Sequence, residues 1–339
     1  MRRVLWSVVT GVLAASGAVT LAQAGQLVPV HSQDVRRATS SPFSSLVVSG
    51  DYSDITLRAG RSLSVLAHEE WNLYQPDLLV AVHDGVLKVS IDCGHPQGAA
   101  GAAGGGLTDT ANDCIDNLTI TVPAGVPVQA TTGAGNISSS GLRQGQLLHT
   151  GAGDVAVRAG SGPEISATTG NGNVRATSVT ADVLDVRTNA GDVTLADVRA
   201  STRVDVTSDN GNVHLTNLRS GSVSASTNAG DVLAQDLRAA LLVLRTANGN
   251  ITAQGLAAGN VQLLDDSGDI TARLDAAPDD VMARSGNGDI TLGVPSGRYD
   301  VGADSANGTV HIKGLTRDPT SHRHVRAHTN SGDVTLRGE

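Results

Sequence analysis

The sequence predicts an all-β protein, a single-stranded parallel β-helix or β-solenoid with coils of about 19–20 residues and an N-terminal β cap. Three observations predict it. A glycine followed by Asp or Asn recurs at near-constant spacing, and apolar residues on either side of it alternate with a period of two. Large side chains are also scarce: 2% of the 339 residues are aromatic, with one Phe and two Trp. A broad globular core is built around large side chains, so the interior expected here is thin and aliphatic. The only lysines are Lys88 and Lys313 and the only glutamates Glu69, Glu70, Glu164 and Glu339. What remains is rich in Gly, Asp, Asn, Ser, Thr and Val, which favour turns and strands.

The chain opens with MRRVLWSVVTGVLAASGAVTLAQAGQ. Arg2 and Arg3 precede an apolar run from Val4 to Ala22, and Ala22-Gln23-Ala24 is a small-x-small cleavage signal. Residues 1–24 are expected to be a signal peptide cut after Ala24; the run is also long enough to serve, uncleaved, as an N-terminal membrane anchor. Either way the chain is expected to be exported, extracellular or on the cell surface. Residues 25–41 are expected to form a flexible leader.

Residues 42–126 are expected to form the cap that hides the first strand edge. SSLVVSGDYSDITLRAG, LLVAVHDGVLKVS and NLTITVPAG are its strand-rich pieces, and it holds Phe43, Tyr52, Trp71 and Tyr74. Trp71 and Tyr74, in EEWNLYQP, are the candidate aromatic contact for a partner. Cys93 and Cys114 flank a Gly/Ala-rich loop. In an oxidising compartment they are expected to form a disulfide, which would contribute on the order of 3 kcal/mol by tethering that loop.

From residue 127 to 339 the chain is one array. Its turn glycines are Gly135, Gly153, Gly172, Gly191, Gly211, Gly230, Gly249, Gly268, Gly288, Gly308 and Gly332, spaced by 18 to 20 residues except for a last step of 24. Relative to each glycine the apolar residues fall at −7, −5, +2, +4 and usually +7, as in Leu184, Val186, Val193, Leu195 and Val198. Each repeat is therefore strand, turn, strand, corner. Eleven coils stacked about 4.8 Å apart would span roughly 50 Å. At −3 stands a ladder of hydroxyls from Thr132 to Thr329, interrupted by Asp265, expected to bond to neighbouring backbone. The residue after the glycine alternates, Asn173, Asp192, Asn212, Asp231, which would separate carboxylates that otherwise repel by about 1 kcal/mol per neighbouring pair. Asn210 and Asn248, just before their glycines, are expected to donate to a neighbouring Asp.

The Gly-Asp/Asn-Val-x-Leu repeats, the DGVLKV element, the VPAGVPV step and the signal-like start resemble the bacterial family of putative adhesins built from β-strand repeats, a domain of unknown function. The resemblance spans about residues 45–337 and implies an exported or surface-displayed β-solenoid. It brings no catalytic residues with it.

The formal charge of −9 and the lack of a Lys/Arg cluster along the sequence argue against nucleic acid and anionic lipid. Carboxylates occur mostly at repeat turn positions, with Asp265, Asp266, Asp269, Asp279 and Asp280 the acidic departures, so no catalytic set is assigned. The double glycine of calcium-binding nonapeptide repeats is missing. His322, His324 and His328 offer a pair on one strand face without a third ligand and are read as a solvated face near the C-terminal cap. No metal or other cofactor is expected. The functional expectation is a non-enzymatic, adhesin-like protein that binds a surface polymer or a protein partner through its polar ladders. The alternatives are a polysaccharide-acting β-helix enzyme and an envelope signalling accessory that docks a partner through the aromatic cap.

Overall fold

Aliphatic alternation between glycine turns folds into strands throughout the computed structural model, which describes residues 30–71, 75–92 and 115–339. The chain divides into two compact units, Met1–Gly153 and Asp154–Glu339.

In residues 154–339 parallel coils stack in register and form a β-solenoid. Val193, Leu195, Val198, Val204 and Val206 of one coil face Val213, Leu215, Leu218, Val223 and Ala225 of the next, and all ten are buried. Each buried aliphatic side chain contributes about 1.5–3 kcal/mol.

The turns stack more closely than side chains allow. A Cβ built on Gly191, Gly211 or Gly230 would lie 2.0–2.3 Å from the carbonyl oxygen of the preceding coil's turn glycine. That oxygen accepts a hydrogen bond from the hydroxyl at −3: Thr188 donates to Gly172 at 2.9 Å, Thr227 to Gly211 at 2.8 Å and Thr246 to Gly230 at 2.9 Å. One residue further on, each backbone N–H donates to the side chain of its counterpart below. Asp192 N–H donates to Asn173 Oδ1 at 2.9 Å, Asn212 to Asp192 Oδ1 at 2.8 Å and Asp231 to Asn212 Oδ1 at 2.9 Å. Either Asp or Asn can accept, so an acceptor is the fixed requirement and the alternation a charge preference laid over it. The asparagines before the glycine do not donate to Asp: Asn210 Nδ2 donates to the Asn189 carbonyl at 3.4 Å and Asn248 Nδ2 to that of Asn228 at 3.3 Å.

A second column of special backbone lies six residues after the turn glycines from Gly153 to Gly249. Ala159, Ser178, Asp197, Asn217 and Asp236 have φ between 49° and 56°, and Gly255 completes the column at 68°. Asp and Asn tolerate this left-handed region; Ala159 gains no side-chain hydrogen bond in return.

The C-terminal coil does not stack last. His324–Ser331 pairs with Asp280–Asn287 on one side and with Arg298–Asn307 on the other. Val334–Gly338 likewise lies between Ile290–Val294 and Val310–Lys313. The 24-residue step is thus a strap that carries the chain past coil 298–313 and back inside it. The inserted strand has side-chain partners on both sides: His324 Nδ1 lies 3.1 Å from Asp300, His328 Nδ1 3.1 Å from Asp304, and Arg326 3.3 Å from Asp280. SHRHVRAH does present a partly solvated face, with His322 exposed and His324 and His328 half-exposed beside carboxylates of the adjoining strand, but its coil is not the outermost one. The insertion also stacks three carboxylates in succession. Asp289 N–H donates to Asp269, Asp333 to Asp289 and Thr309 to Asp333. Coil 298–313 becomes the outer one and leaves Val310 39% exposed.

In the first unit the strands are β1 (His31–Arg37), β2 (Ser45–Gly50), β3 (Ser53–Gly60), β4 (Ser64–Trp71), β5 (Asp77–His83), β6 (Val86–Asp92), β7 (Ile115–Pro123), β8 (Val128–Ala134), β9 (Ile137–Ser140) and β10 (Gln146–Ala152). β2 pairs in parallel with β6 and β8, and β3 with β7 and β9. β2 and β3 are therefore a coil, with Ser53 where later coils have glycine and Asp54 accepting from Asn136 N–H at 2.6 Å. Solenoid coils begin inside the segment expected to be all cap, and this first coil too lies one place in from the end. The antiparallel strands β5 on β6, β4 on β7 and β1 on β4 close that end. β1 falls in the expected leader, and its pairing with β4 orders residues 31–37. Cys93, Cys114 and the loop between them lie outside the described residues.

Two outcomes check this architecture. Gly211→Ala should destabilise by about 1–3 kcal/mol, because its methyl meets backbone that cannot give way, whereas Ala159→Gly should stabilise by about 1 kcal/mol; denaturant melts that move both variants the same way would refute the two turn assignments. With Cys93 and Cys114 replaced by Ser, Arg284→Cys/His328→Cys should cross-link on oxidation and Arg284→Cys/Asp304→Cys should not, the reverse of stacking in chain order.

Candidate functional site

Which ladders a ligand can reach decides where a site can be. From Thr132 to Thr329 the hydroxyls at −3 are buried, save the half-buried Ser305, and bond to backbone, so they are structural. The Asn/Asp column beside the glycines is exposed, but its oxygens already accept backbone N–H groups. A third ladder arises at the second corner. There the left-handed residue turns the chain, the next side chain (Val198, Leu218, Leu237) points inward, and the one after must point out. In three successive coils that outward residue is arginine: Arg199 stands opposite Arg219, and Arg219 opposite Arg238.

All three guanidiniums are exposed. They make no ion pair among the described residues, unlike Arg187, which lies 2.9 Å from Asp185, or Arg203, 3.0 Å from Asp205. At about 4.8 Å per coil, neighbouring arginines repel by about 1 kcal/mol even in water. On one side of this ridge runs the left-handed column, where Asn217 Nδ2 donates to Asp197 Oδ1 at 2.6 Å. On the other side lies an open groove of about 560 Å³ with a floor of small residues, Gly162, Ala181, Ala200 and Gly221 among them.

The groove sits where the repeat is irregular. Pairing steps from Ala200–Ser220 to Arg203–Ser222, leaving one extra residue on the first strand. This is a bulge, the device that re-aims side chains out of a regular sheet. It brings Ser201 Oγ to 2.6 Å from Asp182 Oδ1 in the groove wall. On the facing coil a Cβ at Gly221 would meet Thr202 O at 2.7 Å.

The arginine ladder escapes a reading along the sequence because its members are about twenty residues apart. Their signal is the recurrence of DVRA, NLRS and DLRA at one phase of the repeat. The sequence-predicted contacts fare differently. Trp71 is half-buried and stacks on His31, ring centroids 5.6 Å apart, and Tyr74 lies outside the described residues. Asp266 is 3.5 Å from Arg245 and Asp280 pairs with Arg326. Among the described residues no group of three His, Cys, Asp or Glu is placed to hold a metal ion.

Two buried carboxyls have perturbed titration. Asp265 replaces a hydroxyl in the inner ladder and is pushed up to about 6, chiefly by burial. Ionised, it cannot donate to the Gly249 carbonyl as Thr or Ser would, and there the Gly249 N–H to Ser267 bond stretches to 3.4 Å against 2.8–3.1 Å at the other turn glycines. In the first unit Asp116 lies opposite Glu69 on β4 and beside Ser53 on β3. Burial, then the Glu69 charge, pushes Asp116 up to about 7. Burial also raises Glu69, against a hydrogen bond from Gln33 Nε2 at 2.7 Å and the charge of Arg37.

A carboxyl with a raised folded pKa holds its proton more tightly folded than unfolded. Its penalty is absent below about pH 4 and grows as pH rises, to about 6 for Asp265 and about 7 for Asp116. Asp265→Thr and Asp116→Asn should therefore each raise the melting temperature at pH 7.5, with the gain shrinking towards pH 4; gains that do not depend on pH would contradict the titration.

No curated protein matches the chain. Among solved structures it is similar to a putative adhesin from Bacteroides fragilis, with 14% identity, covering 91% of this chain and 97% of that one at a TM-score of 0.32. A putative adhesin from Parabacteroides distasonis is 14% identical, with 90% and 96% covered and a TM-score of 0.39. A putative cell adhesion protein from Clostridium sporogenes is 9% identical, with 91% and 100% covered and a TM-score of 0.22. The Toastrack family, DUF4097, matches residues 44–208 and again 181–337. Coils of glycine turns and alternating aliphatic strands fill both stretches, and the chain belongs to the Toastrack DUF4097 family.

Proposed function

We propose that the protein is a non-enzymatic, exported or cell-surface β-solenoid that binds a surface polymer or a partner protein through the exposed faces of its coils. The observation that carries this reading is the ladder Arg199–Arg219–Arg238. Three cations repeat at coil spacing, without an ion pair among the described residues and flanked by open grooves. Such a surface presents the same donors over and over, which suits a ligand that is itself repetitive. The signal-like first 24 residues support export, and the adhesin-like names of the similar structures agree with a surface role.

The test passes bacterial and host polysaccharides and envelope proteins over the immobilised full chain, recording retention and, for the glycans, new reducing ends. Retention without cleavage is the expected result. Release of reducing ends would replace this reading with a glycan-acting enzyme, and no retention of any ligand would remove it.

A further inference from the structure

The ligand class can be narrowed from the charges around the ridge. The three guanidiniums offer planar forks that match carboxylates bidentately. They are not part of a general basic patch, because the chain carries a net charge of −9 and Asp182, Asp197 and Asp236 lie beside the ridge. A dense polyanion with no hydroxyl donors, such as a polyphosphate, would meet those carboxylates and be repelled. A ligand that satisfies both sets of groups carries one carboxylate per unit for the arginines and neighbouring hydroxyls to donate to Asp182, Asp197 and Asp236. Acidic sugars have this pairing. The step between coils, about 4.8 Å, is close to the length of one pyranose residue in a linear chain.

Resting on the binding function proposed above, we infer that Arg199, Arg219 and Arg238 form a binding track for a linear acidic polysaccharide whose sugar rings bear carboxylates, lying along the stacking direction of the coils with its hydroxyls over the groove floored by Ala181 and Ala200. The bulge at Ser201 and Thr202 opens that groove beside the first two arginines. Ser220 also lines the groove, with its Oγ turned into the wall and without a hydrogen-bond partner among the described residues. The track lacks aromatic stacking platforms, so affinity comes from charge-assisted hydrogen bonds repeated along the ladder. It therefore depends on chain length and on salt.

The test measures binding of the full chain to polygalacturonate oligomers of increasing length, to the same oligomers as neutral methyl esters, and to inorganic polyphosphate. Binding should strengthen with oligomer length, weaken on raising salt from about 0.05 to 0.5 M, and fall at least about tenfold for the esters. Arg199→Gln/Arg219→Gln/Arg238→Gln should lose at least about tenfold. Arg175→Gln/Arg284→Gln/Arg337→Gln removes equal charge from other exposed strand positions and should stay within about twofold of the parent; unchanged circular dichroism would show that both variants fold. Equal binding of acid and ester, preference for polyphosphate, or full binding by the ladder variant would overturn the track. If neutral glycans or a protein are retained while the acidic oligomers are not, the track falls and the broader binding role stands; if nothing is retained, both fall.

Discussion

Backbone stacked on backbone at the glycine turn is the constraint from which the rest of this structure follows. A carbonyl oxygen lies where the next glycine's Cβ would be, so no other residue fits without moving main chain. Once the turns approach that closely, the buried carbonyl needs a donor from the next coil, and the hydroxyl three residues before the glycine supplies it. The N–H one residue later needs an acceptor, and Asn or Asp supplies that. Glycine, hydroxyl and Asx are thus one hydrogen-bonded unit written once per repeat. Asp265 shows the cost of departing from it, since a carboxylate in the donor's place leaves a stretched backbone bond nearby.

Because the unit is local and repetitive, most of the fold was legible in the sequence. The period, the inward aliphatic positions and the inner hydroxyl ladder can be read by setting Leu184–Val198 against Val204–Leu218. The stacking order of the last coils could not be. Coil 324–338 carries the same inward pattern as coil 298–313, so either could follow coil 280–294, and the choice rests on side-chain partners such as Asp300 and His324 that no periodicity reveals. The left-handed column was hidden for another reason: Ala, Ser, Asp, Asn and Asp occupy it in turn, and only Gly255 at its end announces the geometry. The strand at residues 31–37 gains its order by pairing with β4, a tertiary effect that its own composition does not encode.

The candidate site was legible only in part because a solenoid converts distance along the chain into adjacency. Three arginines scattered among acidic residues look like noise in a linear scan and give an overall charge of −9. Stacking places them side by side, as a row of cations edged by the carboxylates of Asp182, Asp197 and Asp236. The hydroxyls that dominate the repeat by count face the wrong way for binding. Abundance along the sequence marks what holds the coils together, and the rarer outward residues mark what the coils display.

The tucking of coil 324–338, one place in from the end within residues 154–339, bears on how such an array changes over generations. In each unit the closure is built from non-repeating parts, the antiparallel strands in the first and the returning strap in the second. Coils between Gly172 and Gly268 need only a neighbour of like register above and below. Duplication or deletion of an interior coil therefore leaves both closures intact, and each copy of a coil bearing Arg219 would lengthen the displayed array by one cation. The number of coils, and with it the reach of the surface, can drift while the fold stays sealed.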